Sequence, residues 1–482
     1  MKNIFLLKGI LPALIWLLSI PAFSKIVLPE IFSDHMVLQQ QTEAPIWGKA
    51  TPNKNVKIIT SWDKQTYMAL SDINGAWMIK IKTPTAGGPY SISISDGNEL
   101  VLKDILIGEV WICSGQSNME MPLAGEYGKV LNYENEIAAV NIPNIRLLHI
   151  QRATSIKPET DVKTESNGWQ VCSEATISKF SSVGYFFGKE LHTKLNIPIG
   201  LIHTSWGGTI IEAWTSSESL ELIPDLRNAI QEVKNENPAT PQRQNVPNRT
   251  TVLYNAMVNP LVPYAFQGVI WYQGESNANR AYQYRDLFPL MIYDWRKKWN
   301  RNFPFYFVQL ANYMKRENEP TESRWAELRE AQFIALSMKN TGMAVAIDIG
   351  EADDIHPKNK QDVGKRLAYI AQAKTYNLPV LYSGPLYESY IIEGNKIRIR
   401  FKHTENGLKT KDGKALTGFV IAGPDHKFLW ATAAIEGNDV VVSSPNIEFP
   451  IAVRYGWTNN PDCNLYNGAN LPASPFRTDD WR

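Results

Sequence analysis

The chain has 482 residues but only three cysteines, seven histidines and almost no net charge. Three cysteines allow at most one disulfide bond, and because none of them forms a C-x-x-C pair, a thiolate zinc site is disfavoured. Lys and Arg number 49 against 48 Asp and Glu. This balance argues against a nucleic-acid-binding protein, since such a protein needs a basic face. A P-loop, a G-x-G-x-x-G after a strand and an H-E-x-x-H sequence are also absent, so nucleotide sites and hydrolytic zinc sites are disfavoured.

Long hydrophobic runs are equally scarce, and the one at the N-terminus has a short basic start followed by apolar residues 10–20. Ala22 and Ser24 then stand in the small-residue arrangement of a signal-peptidase site. Because a spanning helix needs about 20 apolar residues, this run is too short, and residues 1–24 are predicted to be a cleaved signal peptide. An uncleaved anchor is the alternative. The protein is therefore expected to be exported, to a periplasm or outside the cell, with no membrane span after cleavage.

The composition is that of a folded protein with several parts. Hydrophobic residues make up 44% of the chain, enough for sizeable cores, so global disorder is excluded. At roughly 100–200 residues per domain, the length indicates about two to four domains. The 15 tryptophans are an unusually high number. Core packing explains most of them, and a sugar-binding cleft would explain the others.

The hydrophobic pattern divides the mature chain into three regions. Residues 25–104 and 386–482 show near-alternation of polar and apolar residues between glycine-containing turns, which predicts β structure in both. We expect the first to be a sandwich-like domain and the second to be a β-rich region that packs on the others. Residues 105–385 alternate between short apolar runs and helical periodicity, which predicts an α/β domain.

Strands are predicted in that α/β domain at residues 105–113, 199–203, 268–272, 305–310 and 343–348. Helices are predicted at residues 180–191, 282–298 and 324–338. The β–α alternation implies a parallel sheet covered by helices on both faces, which is a three-layer arrangement. Because ligands bind outside the carboxyl ends of such strands, the chemistry is expected in the loops that follow them.

Four of these loops carry clusters of small and polar residues, at 114–119, 204–209, 271–277 and 351–357. In the first loop a glycine lies two residues before Ser117 at a predicted strand-to-helix turn, where free N–H groups favour negative charge. A serine in that position can be a nucleophile, and an ordinary helix cap is the alternative. Only His356, of all the histidines, lies at the carboxyl end of a predicted strand with acidic residues beside it, which makes it the candidate base.

Together the four loops resemble those of a known enzyme family. The sequence Ile-Cys-Ser-Gly-Gln-Ser-Asn-Met-Glu at 112–120 resembles the first block of SGNH-type hydrolases. With Trp-Tyr-Gln-Gly-Glu-Ser at 271–276 and Asp-Ile-His-Pro at 354–357, it more narrowly resembles the sialate O-acetylesterase family, which also contains acetyl-xylan and other carbohydrate acetylesterases. The resemblance covers nearly the whole mature chain and implies an SGNH-type α/β catalytic domain.

The resemblance also implies a catalytic set. Ser117 takes the position of the nucleophile, and His356 takes that of the general base. Asp353, three residues before the histidine, matches the position of the orienting acid. Some members of the family lack this acid, so Asp354 is a rival for the same role.

An oxyanion hole is implied as well. The backbone N–H groups of Ser117 and Gly208 are expected to donate to it, with Gly207 as the competitor of Gly208. The third block departs from the Gly-x-Asn pattern of SGNH hydrolases, since a serine stands at the asparagine position. Gln273 is therefore the expected replacement donor, with Asn277 as runner-up.

The implied activity is hydrolysis of acetyl esters on sugars through an acetyl-enzyme, which requires no metal or cofactor. An O-acetylated sugar or glycan is the expected partner, with sialic acid first and acetyl-xylan or another plant polysaccharide as the alternative. Arg280 is a natural partner for a sialic acid carboxylate. Trp111, Trp206 and Trp271 lie near the catalytic loops, and at least one of them is expected to face the sugar.

Two more distant classes compete with this interpretation. A glycoside hydrolase would use Glu275 with Asp353 or Glu212 as paired carboxylates, but this leaves the serine turn and His356 without a role. A non-catalytic glycan-binding protein is compatible with the β regions and the tryptophans, but it does not explain the ordered loops.

Overall fold

The structure, a computed structural model, describes residues 26–237 and 246–481. The predicted signal peptide at residues 1–24 lies outside the described residues. Within the two described ranges, no helix combines the length and the apolar character needed to cross a lipid bilayer. The three cysteines are all free thiols, so the described part of the chain is held together without disulfide bonds.

The N-terminal region is built from β-strands. They are Val37–Gln39 (β1), Glu43–Lys49 (β2), Asn55–Thr60 (β3), Thr66–Leu70 (β4), Ala76–Lys82 (β5), Gly87–Ser95 (β6) and Glu99–Gly115 (β7). Strand β2 pairs with β5, while β4, β3, β6 and β7 pair in that order, all antiparallel. In β5 every second residue is buried, so Trp77, Ile79 and Ile81 pack into the core.

Strand β7 is 17 residues long and continues from the N-terminal sheet into the centre of the molecule. The next strands are Ala124–Gly125 (β8), Gly128–Lys129 (β9), Asn141–His149 (β10), Gln170–Ser173 (β11), Ile199–Ser205 (β12), Gly268–Tyr272 (β13), Phe305–Gln309 (β14) and Thr341–Val345 (β15). The central sheet has the order β11–β10–β12–β7–β13–β14–β15. Its pairs are parallel except β10 with β11. The sheet is therefore mixed, not wholly parallel as the β–α alternation implies.

Helices cover this sheet. They are Ser117–Glu120 (α1), Tyr133–Ala138 (α2), Glu174–Ile177 (α3), Ser182–Leu195 (α4), Ser217–Leu220 (α5), Arg227–Lys234 (α6), Ala281–Lys298 (α7), Arg324–Ile334 (α8) and Lys360–Lys374 (α9). Shorter 3-10 or π segments are Ile211–Trp214, Pro224–Leu226, Tyr254–Val258, Asn259–Leu261, Glu275–Arg280 and Ala335–Ser337. Helix α4 packs on α9, and α7 packs on α8. The longer helices therefore form two separate pairs around the sheet.

Strand β10 is the main element that the hydrophobic pattern does not predict. Its sequence contains Pro143 and Arg146 among apolar residues, so it lacks the continuous apolar run of the other central strands. Arg146 is buried because its guanidinium pairs with Asp104 at 2.8 Å, and a paired charge costs far less to bury than an isolated one. The predicted strand at 343–348 also ends earlier, at Val345.

The C-terminal region is again β structure with its own hydrophobic core. Its strands are Leu386–Glu393 (β16), Lys396–Lys402 (β17), Leu408–Thr410 (β18), Phe419–Ala422 (β19), Phe428–Trp430 (β20), Thr432–Glu436 (β21), Asp439–Ser443 (β22), Ala452–Tyr455 (β23), Leu465–Asn467 (β24) and Phe476–Arg477 (β25). The buried guanidinium of Arg329 in α8 donates to the carbonyls of Thr458 and Asn459. This contact fixes the C-terminal region to the α/β region.

Candidate active site

Three of the predicted loops begin at the same level of the central sheet. Gly115, the last residue of β7, lies in register with Ser205 at the end of β12 and with Tyr272 at the end of β13. Strand β7 is also the point from which the chain order runs in both directions across the sheet. Ligands bind at such a switch point in open α/β sheets, so the loops that follow these residues share one candidate site.

The turn that carries Ser117 depends on a glycine. Gly115 has φ of +144°, and a Cβ atom there would lie 2.1 Å from the carbonyl oxygen of Tyr272, so a larger residue does not fit. The backbone N–H of Gln116 donates to that same carbonyl at 2.9 Å. Ser117 follows as the first residue of α1 and is 7% exposed. Its N–H therefore lies at a helix start, where backbone donors have no partner within the helix.

The structure brings Ser117 and His356 into direct contact. The Nε2 atom of His356 lies 2.9 Å from Ser117 Oγ, within hydrogen-bond distance for proton transfer. His356 lies in the loop between β15 and α9, and its ring is 4.9 Å from the ring of Tyr127. Burial lowers the pKa of His356, the charge of Lys360 lowers it further, and Asp354 acts in the opposite direction. The net lowering favours a neutral imidazole, which is the form that can accept a proton.

The acid beside His356 is Asp354. Its Oδ1 atom lies 3.4 Å from the Nδ1 of His356 and accepts a hydrogen bond from the backbone N–H of His356 at 2.9 Å. Asp353 is exposed, and its side chain has no hydrogen bond or ion pair among the described residues. The first-choice acid, Asp353, is thus corrected to its rival, because the tight turn before the histidine directs Asp354 to the ring.

The two glycines after β12 differ in the use of their N–H groups. The N–H of Gly207 donates to Glu120 Oε2 at 2.7 Å. Gly208 has φ of +72°, with open space around the position of a Cβ atom, and its N–H has no acceptor within the described ranges. Asn248 holds this turn by donating to the carbonyl of Gly208 at 2.7 Å. The geometry therefore leaves Gly208, not Gly207, as the available donor.

Glu120 anchors this side of the site. Its buried carboxylate accepts hydrogen bonds from Tyr127 Oη at 2.7 Å and from Arg152 Nε at 2.5 Å, in addition to the one from Gly207. Residues from four separate segments thus meet at one carboxylate. None of these roles has a local signal in the sequence, because the partners are brought together only by the fold.

The third expected oxyanion donor is not available in this structure. Gln273 is fully buried, and its Nε2 donates to the carbonyl of Thr209 at 3.0 Å and to Asn277 Oδ1 at 2.8 Å, while Tyr284 donates to its Oε1. Both amide hydrogens are therefore used. Asn277, the runner-up, is also buried and donates to Glu212 Oε2 at 3.0 Å. The hydrogen bonds of these two amides stabilise the loop. The expectation that Gln273 donates to the oxyanion is therefore corrected.

The tryptophans near the loops also divide into two kinds. Trp111 and Trp271 are buried in the core. Trp271 packs against two further indoles at 6.1 and 6.0 Å, so the expected sugar contact is wrong for Trp271, and Trp111 is equally unable to face the sugar. Trp206 is half-buried, and the guanidinium of Arg152 lies 5.9 Å from its ring. Trp206 therefore stays the candidate for a sugar-facing ring.

Arg280 is engaged elsewhere. Its Nη1 donates to Glu212 and to Gln283. Arg152 is closer to the catalytic loops: its Nε and Nη2 pair with Glu120 and Glu126, and its Nη1 has no partner among the described residues. Sequence reasoning did not single out Arg152, because it lies in an irregular stretch without a motif.

The carboxylates of the glycosidase alternative are also accounted for. Glu212 is buried against Arg280 and Asn277, and Glu275 accepts a hydrogen bond from Asn118 at 2.6 Å. Asp353 is exposed and away from both sets of contacts. In the described ranges, moreover, no group of three or more His, Cys, Asp or Glu side chains could hold a metal ion. The contact between Ser117 and His356 has the geometry expected of a nucleophile and its base.

Comparisons with known proteins indicate a carbohydrate esterase. Residues 107–373 match the protein family described as "Carbohydrate esterase, sialic acid-specific acetylesterase". The sialate O-acetylesterases of Mus musculus and Homo sapiens are each 30% identical to the chain. The matches cover 92% of this chain in both cases, and 92% and 91% of those proteins. The crystal structure of a carbohydrate acetylesterase from Xanthomonas citri superposes with a TM-score of 0.85 at 38% identity, covering 95% of this chain and 100% of that one.

Proposed function

The chain belongs to the family of sialic acid-specific carbohydrate acetylesterases, and on that premise we propose that it is an exported sialate O-acetylesterase with Ser117 as its nucleophile. It is an esterase that acts on acetylated carbohydrate. The observation that carries the serine mechanism is the 2.9 Å contact between Ser117 Oγ and His356 Nε2. We also propose that residues 105–385 form an SGNH-type hydrolase domain between the N-terminal β region 25–104 and the C-terminal β region 386–482.

In the first half of the reaction, Ser117 Oγ attacks the acetyl carbonyl carbon while its proton moves to Nε2 of His356. The tetrahedral intermediate carries the negative charge on the former carbonyl oxygen. The N–H groups of Ser117 and Gly208 donate to this oxyanion. When the intermediate collapses, the C–O bond to the sugar breaks, and His356 returns the proton to the sugar hydroxyl.

In the second half, water attacks the acetyl-enzyme. His356 takes a proton from the water, a second tetrahedral intermediate forms at the same oxyanion position, and the bond to Ser117 Oγ breaks. The proton passes from His356 to Ser117, and acetate leaves. Asp354 supports both halves, because its negative charge stabilises the imidazolium that each half forms.

The substrate proposal rests on the family and on the polar groups beside the loops. A sialic acid carries a carboxylate, for which an arginine is the usual partner. We propose Arg152 for this contact, because its Nη1 has no partner within the described residues and its guanidinium lies near the ring of Trp206. Trp206 would then pack against the sugar.

An acetylated plant polysaccharide is the second candidate substrate. It is supported by the similarity to a protein called a carbohydrate acetylesterase, without mention of sialic acid. Two carboxylates, Glu120 and Glu126, already pair with Arg152, which also favours a neutral sugar. Acetate release from O-acetylated sialic acid and from acetylated xylan separates the two. Preference for sialic acid supports the proposal, whereas preference for xylan overturns the sialate assignment.

The serine mechanism has a direct test. A serine-reactive phosphonate should label Ser117, and peptide mass spectrometry should locate the adduct there. His356→Ala should abolish labelling, since the attack needs the base. Labelling of another residue, or unchanged labelling in the histidine variant, contradicts the mechanism.

Export is proposed from the sequence of residues 1–24 alone. Expression of the full chain in a bacterium with a secretion system should yield a mature protein that begins at Lys25. Protein that keeps residues 1–24 and stays in the membrane fraction would support the uncleaved anchor instead.

A further inference from the structure

A buried lysine contacts Asn118, the residue that directly follows Ser117, although ester hydrolysis assigns it no step. Lys360, the first residue of α9, is 0% exposed. Its Nζ donates to Asn118 Oδ1, and the ring of Tyr272 is 5.4 Å from the same nitrogen. Removing a charged ammonium from water is costly unless it is paired and hydrogen-bonded. The groups that contact Lys360 must therefore stabilise its charge.

Asn118 connects this lysine to the other catalytic loops. Its Nδ2 donates to Glu275 Oε1 at 2.6 Å and to the carbonyl of Ile355 at 3.0 Å. Asn118 directly follows Ser117 in the chain, and Ile355 directly precedes His356. Both amide hydrogens and the amide oxygen of Asn118 are thus used. One side chain ties the serine turn to the histidine loop and to the third loop.

The carboxylate of Glu275 completes the cluster. Its Oε2 is buried and has no hydrogen-bond partner within the described residues. Burial raises the pKa of Glu275, although the hydrogen bond from Asn118 and the charge of Lys360 act against this. Burial also lowers the pKa of Lys360 to about 7, with the negative charge of Glu275 acting against it. The cost of burying each charge is therefore reduced in part by the opposite charge and by the Asn118 amide that contacts both side chains.

We propose that Asn118, Lys360 and Glu275 form a positioning cluster that holds His356 against Ser117. This inference rests on the proposed serine mechanism and deepens it. None of the three residues touches the reacting atoms. Their task is to fix the distance between two loops that are 239 residues apart in sequence, since a misplacement of about 1 Å can cost on the order of 10²-fold in rate.

The charge of Lys360 also affects the pKa of His356. The positive charge of Lys360 lowers the pKa of His356, whereas Asp354 raises it. The charged and titratable groups around His356 from its own loop and from the elements packed against it are Glu351, Asp354, Lys358, Lys360, Glu275 and Tyr127. Burial, the largest of the effects that lower this pKa, remains when Lys360 is removed, but the lowering by the lysine charge is lost, so the pKa of His356 should rise. A residue that only supports the fold would not produce this change.

The test is a double-mutant cycle on the full chain with Asn118→Ala, Lys360→Met and both together. Each single variant should lower kcat by on the order of 10²-fold with little change in KM. If the residues act as one unit, the double variant should lose no more than the worse single variant. The acidic limb of the kcat/KM profile should also move to higher pH in Lys360→Met. Lys358→Met is the matched control, because this half-buried lysine pairs with Glu351 at 3.0 Å and does not contact Asn118.

Several outcomes would overturn the inference. If the fold-loss in kcat of the double variant equals the product of the two single losses, Asn118 and Lys360 act independently. If the single variants keep a kcat near that of the unmodified enzyme, the two residues have no positioning role. If Lys360→Met does not fold, as judged by thermal melting, the cycle is run with Lys360→Gln, whose amide can still donate to Asn118 and should lose less. Activity that survives in Ser117→Ala would instead contradict the proposed function. If Ser117→Ala loses its activity while the Asn118 and Lys360 variants keep theirs, the positioning cluster is contradicted but the proposed function is not.

Discussion

Asp354 Oδ1 lies 3.4 Å from the Nδ1 of His356 and accepts a hydrogen bond from the backbone N–H of the same residue at 2.9 Å. The carboxylate is thus held by the residue that it orients. A negative charge at this position favours a proton on Nδ1, which leaves Nε2 free to accept the proton of Ser117. The side chain of Asp354 is 35% exposed, so solvent weakens this effect in comparison with a buried acid.

The two neighbouring aspartates should therefore differ sharply when each is changed alone. Asp354→Asn should lower kcat by about 10²-fold, because the neutral amide cannot stabilise the imidazolium. Asp353→Asn should leave kcat near its original value, since Asp353 is exposed. Steady-state kinetics on one acetyl ester measures both. A large loss in Asp353→Asn alone would restore Asp353 as the orienting acid.

The pH dependence follows from the lowered pKa of His356. The base must be neutral to accept the serine proton, so kcat/KM should rise with pH through this pKa and then level off. The ordinary value is 6.5, and the acidic limb should therefore have its midpoint below it. In Asp354→Asn the limb should move to still lower pH, because the group that raises the pKa is removed. A midpoint above 6.5 in the unmodified enzyme contradicts the burial of the imidazole.

The substrate proposal predicts different roles for two arginines. Arg152→Gln should lower kcat/KM on O-acetylated sialic acid by about 10- to 100-fold relative to acetylated xylan, which is the value of a charge-assisted hydrogen bond. The ratio between substrates matters, because Arg152 also contacts Glu120 and its loss can affect both reactions. Arg280→Gln should leave the ratio unchanged. If the ratio of kcat/KM on O-acetylated sialic acid to that on acetylated xylan is the same in Arg152→Gln and Arg280→Gln, recognition of the carboxylate by Arg152 is contradicted.

Substitution of Trp271 should affect the stability of the protein, whereas substitution of Trp206 should affect glycan binding. Trp271→Ala should lower the free energy of unfolding by about 3–5 kcal/mol, since it leaves a cavity among packed aromatic rings. Trp206→Ala should change stability by less than about 1 kcal/mol and raise KM for the glycan by about three- to tenfold. Thermal melting and steady-state kinetics measure the two effects. A stable Trp271→Ala protein with a raised KM would return Trp271 to the sugar site.

The arrangement of the four loops could be predicted from the sequence, because it depends on local signals. The apolar strands, the glycine before Ser117 and the acids near His356 are all visible along the chain. Strand β10 could not be predicted, since Arg146 becomes tolerable there only through Asp104, a residue 42 positions away.

The finer assignments differ from the structure where they depend on the direction and the partners of individual side chains. The family resemblance favours Asp353, but the loop before the histidine places Asp354 beside the ring. The motif favours Gln273 as an oxyanion donor, but the carbonyl of Thr209 occupies its amide. Lys360 gave no signal as a functional residue, because its burial beneath Asn118 is a property of the folded chain.

Acetate release from O-acetylated sialic acid by Ser117→Ala, compared with the unmodified protein, tests the serine mechanism most directly. The hydroxyl is the proposed nucleophile, so kcat should fall by on the order of 10⁴-fold or more. The thermal melting temperature should change little, because a small side chain is replaced by another. Acetate release at an undiminished rate by the folded variant would contradict the serine mechanism.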